Sequence, residues 1–107
     1  MKTDRELLEL AAKAAGIVGL WHERGQCIHV TDCAGMSDMW WRPLTDDGDA
    51  LRLAVKLDIS VFGSFPFNAV AAFDGRRIIE TKQPDDPMPA TRRAIVRAAA
   101  AIGEAMP

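Results

Sequence analysis

Two stretches decide the fold: residues 43–57, PLTDDGDALRLAVKL, and residues 90–100, ATRRAIVRAAA. In the first, Thr45 or Asp46 can cap a helix, and the acidic residues that follow suit its positive end. In the second, Pro89 suits a first helical turn, and apolar residues then recur at helical spacing. Both stretches therefore predict helices. Their predicted buried faces carry Ala50, Leu53, Ala54 and Leu57, and Ile95, Ala98, Ala99, Ile102 and Met106.

A third helix is predicted at the start of the chain. Thr3 and Glu6 have the spacing of a capping box, and Gly16 offers a left-handed exit. Between them, Leu7, Leu8, Ala11, Ala14 and Ala15 lie on one helical face.

The remaining regular segments predict short strands. Residues 17–21 and 27–30 form a hairpin, residues 59–62, 68–73 and 76–81 form a meander, and residues 31–42 form a loop. We therefore expect an α+β fold in which three helices pack on an antiparallel sheet of about four to five strands, in the order α-β-β-α-β-β-β-α. Helices on one face leave the other face, carrying Val70 or Phe73, open to solvent, to a ligand or to a second copy of the chain.

Length and composition set the class of protein. The 107 residues fit a single domain, 1–107, and 49% hydrophobic with 26% charged residues is ordinary for a globular protein. A net charge of −2 disfavours broad contact with nucleic-acid phosphates. The absence of a long apolar run predicts no membrane span, and the N-terminal residues do not resemble a signal peptide. We expect a cytoplasmic protein with reduced thiols.

Residues 1–16, 40–61 and 87–107, with the distinctive turn Trp41-Arg42-Pro43-Leu44, resemble a family of short phage and prophage proteins of unknown function. In outline the pattern is similar to the lambdoid NinX-type proteins, in which an aromatic-Asn/Arg-Pro turn leads into one helix and an Ala/Arg-rich helix closes the chain. Where Asn is common before the proline, this chain has Arg42, and residues 18–39 are peculiar to it. The resemblance implies a phage accessory protein in a bacterial host.

The segment peculiar to this chain holds both cysteines. Cys27, His29 and Cys33, with His22 nearby, are ligand types that zinc prefers, but no second ligand pair accompanies them. A thiol–imidazole nucleophile is the other option. Residues two apart on a strand lie about 7 Å apart, too far for direct proton transfer, while a pairing of Cys33 with His22 stays open. We expect no catalytic residues, no metal and no cofactor, with a small zinc module as a remote alternative.

An aromatic and basic set offers a different chemistry. Its members are Trp40, Trp41, Arg42, Arg76, Arg77, Arg92, Arg93 and Arg97. Guanidinium groups grip phosphates and indole faces stack on bases, so the set suits a nucleotide or a single strand of nucleic acid. The structural interpretation is that one tryptophan anchors the core and that the arginines form a solvated face near acidic partners.

Small accessory proteins of phages often act by stoichiometric binding, which needs no catalytic residues. We therefore expect a non-enzymatic counter-defence or host-interaction protein that binds a host protein or a small nucleotide signal. The apolar content permits a homodimer without requiring one. The alternative is a nucleic-acid-binding accessory protein of phage replication or recombination, which the net charge disfavours.

Overall fold

The computed structural model describes residues 2–32, 39–64, 69–76, 78–82 and 86–107. Within these ranges the element order is α-β-β-β-α-β-β-β-α. The α+β class predicted from the sequence is therefore confirmed. Helix α1 spans Asp4–Ala15, α2 spans Asp47–Lys56 and α3 spans Pro87–Ala105.

Local capping explains where the helices begin and end. The Thr3 hydroxyl accepts a hydrogen bond from the backbone N–H of Glu6, while the Glu6 carboxylate accepts one from the backbone N–H of Thr3. Gly16 ends α1 at φ 70°, which confirms both predicted signals. Asp46 caps α2 by accepting a hydrogen bond from the N–H of Asp49 at 2.8 Å. Asp86 caps α3 in the same way, through the N–H of Met88.

The first three strands form sheet A. Strand β1 spans Val18–His22, β2 spans Cys27–Asp32 and β3 spans Met39–Trp41, and β2 lies in the middle of the antiparallel order β1-β2-β3. The inner face of the sheet buries Ile28 and Val30. Helix α1 packs against β1 and β2.

The last three strands form sheet B. Strand β4 spans Ser60–Ser64, β5 spans Ala69–Phe73 and β6 spans Ile78–Lys82, again antiparallel with the second strand in the middle. Ala72 of β5 is completely buried under α3, which packs on β5 and β6. The outer face of sheet B exposes Phe62, Phe73 and Ile78. Phe73 therefore lies on an open face as predicted, whereas the side chain of Val70 lies outside the described part of the structure.

The prediction of one sheet with about four to five strands is wrong. The strands divide into two three-stranded sheets, and Met39–Trp41, predicted as part of a loop, pairs with β2 as the third strand of sheet A. The two sheets then bury their inner faces on different helices, sheet A on α1 and sheet B on α3.

Helix α3 is the centre of the core. It packs against α1, α2 and sheet B, so apolar residues are needed on more than one side, and Ala94, Val96, Ala98 and Ala99 are all completely buried. The prediction that Met106 lies on the buried face is wrong. Met106 follows the end of the helix in an extended conformation and is exposed.

Candidate functional site

The two consecutive tryptophans lie on opposite faces of β3. Trp41 is 3% exposed and packs in the core opposite Ile28, whereas Trp40 is 43% exposed on the other face. Alternation along a strand accounts for the difference. The interpretation that one tryptophan anchors the core and the other lies at the surface is confirmed.

Trp40 belongs to what we call the outer face of sheet A, formed by Val18, Leu20, His22, His29 and Trp40. Leu20, His29 and Trp40 are direct cross-strand neighbours, so they form one row across the three strands. The His29 ring stacks on the indole, with centroids 4.6 Å apart and planes at 28°. The His22 ring meets the indole edge-on at 4.7 Å. Trp40 therefore contacts two imidazoles.

Cys27 lies in the neighbouring row, between His22 and Arg42. The strand alternation places it on the outer face, yet it is 2% exposed, and its cross-strand neighbour His22 contacts the Trp40 ring. Burial raises the pKa of the Cys27 thiol, which disfavours the thiolate that a nucleophile requires. His22 Nδ1 accepts a hydrogen bond from the N–H of Gly25 at 2.9 Å, so the neutral ring carries its hydrogen on Nε2.

The predicted cluster of metal-binding side chains is only partly described by the structure. Cys33 lies outside the described residues, so the predicted cluster of Cys27, His29 and Cys33 has no described geometry. Among the described residues, no group of three or more His, Cys, Asp or Glu side chains could hold a metal ion.

Arg92 connects α3 to the chain before α2. Its Nε donates to the carbonyl oxygen of Leu44 at 2.8 Å, and a terminal nitrogen contacts the Asp47 carboxylate at 2.6 Å. The Arg92 side chain is only 16% exposed. Arg92 therefore has a structural role, because these contacts join α3 to Leu44 and Asp47.

Arg93 and Arg97 point to another side of α3, into a cleft between α1, α3 and β6. This cleft has a volume of about 460 Å³. Its lining consists of Lys2, Leu7, Ile79, Arg93, Arg97, Ala100, Ala101 and Glu104. Among these described side chains three are basic and one is acidic, so we call it the basic cleft.

Side-chain contacts hold the basic groups of the basic cleft in place. Arg97 donates to the Thr81 hydroxyl at 3.0 Å, and Thr81 is itself buried. Arg93 contacts the Asp4 carboxylate at 3.1 Å, and Lys2 contacts Glu104 at 2.9 Å. Each ion-paired side chain is at least a third exposed, so these two pairs remain open to exchange with solvent anions.

The other predicted arginines do not join this cleft. The Arg42 backbone N–H donates to the buried Asp49 carboxylate, and its side chain is exposed beside Cys27. Arg76 lies in the turn before β6, where its backbone N–H donates to Asp74. Arg77 lies outside the described residues.

The described members of the predicted aromatic and basic set are therefore distributed over five places. Trp40 and the neighbouring Arg42 lie at the outer face of sheet A, Trp41 lies in the core, Arg92 joins α3 to α2, Arg93 and Arg97 line the basic cleft, and Arg76 lies in the turn before β6. Sequence reasoning missed Lys2, which reaches the basic cleft from the start of the chain, and it did not associate His22 and His29 with Trp40. The cross-strand register of sheet A is the signal that groups the two histidines with the indole.

Comparison of the chain with protein-family models, with curated proteins and with solved structures finds no match. The resemblance to small phage proteins thus stays a prediction. No helix in the described part of the chain has the length and apolar character needed to cross a membrane.

Proposed function

We propose that this protein is a non-enzymatic binding protein that takes up a small anionic ligand of the nucleotide class in the basic cleft. The observation that carries the proposal is the convergence of Lys2, Arg93 and Arg97 around one cleft. Its volume of about 460 Å³ is in the range of small-molecule sites.

The chemistry of the lining matches a ligand that is charged at one end and apolar at the other. Guanidinium groups bind phosphate through two parallel hydrogen bonds, and Arg93 and Arg97 are one helical turn apart on α3. Leu7, Ile79 and Ala100 supply an apolar wall on which a base or sugar can lie. A nucleotide combines both parts in one molecule.

Binding of a phosphate in the basic cleft requires that it compete with the carboxylates of Asp4 and Glu104. Exposed ion pairs contribute only about 0–1 kcal/mol each, so exchanging them for phosphate contacts costs little. Arg97 donates to the Thr81 hydroxyl, which helps to hold its guanidinium at the cleft. The contacts of Lys2, Arg93 and Arg97 thus pre-organise the cleft.

Stoichiometric binding agrees with the groups present. Glu104 is the one carboxylate among the described residues of the lining, and it is paired with Lys2. In the phage setting that the resemblance implies, such a protein would sequester a nucleotide signal of the host in its cytoplasm.

The test is a thermal-unfolding screen against mono-, di- and cyclic nucleotides, with inorganic phosphate and pyrophosphate as anion controls, at two salt concentrations. A ligand at a hundred times its dissociation constant stabilises the folded state by about 2.7 kcal/mol. We expect one nucleotide to raise the midpoint of the native chain and to lose that effect in the Arg97→Ala variant, each variant being compared with its own ligand-free midpoint.

The matched control is Arg76→Ala, which removes the same charge from the turn before β6, away from the cleft. This variant should keep the full ligand-induced shift. If no nucleotide shifts the midpoint, or if the two variants lose the shift equally, the basic cleft is not a nucleotide site.

A further inference from the structure

The outer face of sheet A presents an aromatic platform that the basic cleft does not use. His29 stacks on Trp40 at 28° and His22 meets it edge-on, so both imidazoles restrict the indole. The indole side chain is still 43% exposed, so part of it is accessible to a ligand. Leu20, 68% exposed, continues the same cross-strand row beyond His29.

Positive charge without a partner lies beside this platform. Arg42 follows Trp40 by two residues and flanks Cys27 on the same side of the sheet. Arg24 lies at the tip of the β1–β2 hairpin. Neither side chain forms an ion pair or hydrogen bond with any described residue, whereas Arg5, Arg52, Arg92 and Arg93 are each paired with a carboxylate.

Nearby carboxylates are engaged elsewhere. Glu23, in the same hairpin turn as Arg24, accepts a hydrogen bond from the indole N–H of Trp21 at 2.7 Å. Asp49, which lies near the backbone of Arg42, contacts Arg52 at 2.7 Å. Both carboxylates are therefore already engaged by described donors, whereas the side chains of Arg42 and Arg24 are exposed.

We propose that the outer face of sheet A binds an unpaired base of a single-stranded nucleic acid. The base stacks on the exposed part of the Trp40 indole, Leu20 supports the neighbouring base or sugar, and Arg42 and Arg24 contact the flanking phosphates. Stacking on an indole tolerates any base, because every base has an aromatic face. A duplex cannot use the platform, since its base faces are covered by their neighbours in the stack.

The net charge of −2 is compatible with this site because the proposal needs contacts to only two phosphates. A protein partner is less well supported. A stable protein interface covers about 800 Å² on each partner, whereas the large apolar side chains exposed on this face are Val18, Leu20 and Trp40. A stacked base needs little more than one indole face.

The experiment measures binding of a fluorescein-labelled twelve-nucleotide oligo-dT by anisotropy. We expect binding that weakens about tenfold or more in Trp40→Ala and largely persists in Trp40→Phe. The matched control is Phe62→Ala, which removes an exposed aromatic side chain from the outer face of sheet B and should leave the affinity unchanged. Circular dichroism of each variant shows that the fold is retained.

Salt dependence checks the two phosphate contacts. The logarithm of the association constant should fall with the logarithm of salt concentration with a slope of about −1.4, that is −0.7 for each of two phosphates on a single strand. The Arg42→Ala variant should reduce that slope to about −0.7, whereas Arg76→Ala should not change it.

Several outcomes would overturn the proposal. They are no binding of the oligonucleotide by the native chain, equal binding of a duplex, or unchanged affinity in Trp40→Ala. Loss of oligonucleotide binding in Arg97→Ala with no effect of Trp40→Ala would place the strand in the basic cleft instead. The basic cleft and the platform are tested by different variants, so either proposal can fail while the other stands.

Discussion

Gly103 of α3 lies directly against the backbone of Leu10 in α1. A Cβ atom built at position 103 would overlap the Leu10 carbonyl oxygen and crowd its carbonyl carbon at 2.9 Å. Because the obstacle is backbone inside a helix, a side-chain rotation cannot relieve the overlap. The two helices approach so closely only because residue 103 has no side chain.

We therefore expect Gly103→Ala to destabilise the protein by about 1–3 kcal/mol or more, although alanine is the better helix former. Chemical denaturation of the purified variant measures the change. Gly63→Ala is the matched control, since nothing lies within 4 Å of a Cβ there. Equal stability of the two variants would show that α1 and α3 are farther apart than described.

At Asp58, in contrast to Gly103, we expect a substitution that stabilises the protein. It follows α2 with φ 55°, a left-handed conformation in which glycine is favoured at a helix end. The N–H of Ile59 donates to the Ala54 carbonyl at 2.8 Å, so the turn is closed by the backbone and does not depend on the Asp58 side chain. Asp58→Gly should raise the free energy of unfolding by up to about 1 kcal/mol. Asp58→Ala, which keeps the unfavourable φ, should show no gain in the same denaturation experiment.

Asp49 is a buried carboxylate that organises the turn before α2. It accepts the backbone N–H of Arg42 at 2.9 Å and contacts Arg52 at 2.7 Å. Removing it leaves the Arg42 N–H without its acceptor, so Asp49→Ala should cost about 1–3 kcal/mol. Asp47→Ala removes an exposed carboxylate from the same helical turn and should cost less. Comparison of the thermal midpoints of the two variants tests whether Asp49→Ala is the more destabilising.

The reactivity of the Cys27 thiol tests whether the contact between Trp40 and His22 covers it. In a Cys33→Ser background, we expect the folded protein to react with a thiol reagent several-fold more slowly at pH 8 than the urea-unfolded chain, because burial raises the Cys27 pKa and blocks access. Adding Trp40→Ala should speed the reaction by uncovering the thiol. Adding Phe62→Ala should not. Fast labelling without Trp40→Ala would contradict the burial.

The same pKa shift sets a direction for stability at high pH. The unfolded thiol ionises near pH 9.0, whereas the folded thiol holds its proton to a higher pH. Its contribution to stability is therefore fully present below pH 9.0 and is lost as the pH rises through the folded-state pKa. Cys27→Ser should lack that component when unfolding is followed from pH 8 upward.

The helices could be predicted from the sequence because their signals are local. Thr3 with Glu6, Gly16 and Asp46 each act within a few residues of their position in the chain. Strand β3 could not, because Met39–Trp41 is three residues long and is stabilised by pairing with β2, not by its own pattern. The number of strands was underestimated because of that missed strand.

The candidate sites show the same contrast. That one of the two adjacent tryptophans is buried and the other exposed could be predicted from the sequence. Which of them is buried depends on strand β3, which was predicted as part of a loop. The basic cleft could not be predicted from the sequence, since its contacts join residues such as Asp4 and Arg93, which are 89 positions apart. Only the packing of α1 on α3 brings Lys2 beside Arg93 and Arg97.

The strand orders β1-β2-β3 and β4-β5-β6 have a consequence for how the chain folds. Every strand pairs with its immediate neighbour in sequence, so each sheet can form by closing short loops at little entropic cost. The slow event should then be the meeting of α1 with α3, which brings together opposite ends of the described chain. On that basis, substitutions at Leu10 or Gly103 should change the folding rate more than equally destabilising ones within either hairpin.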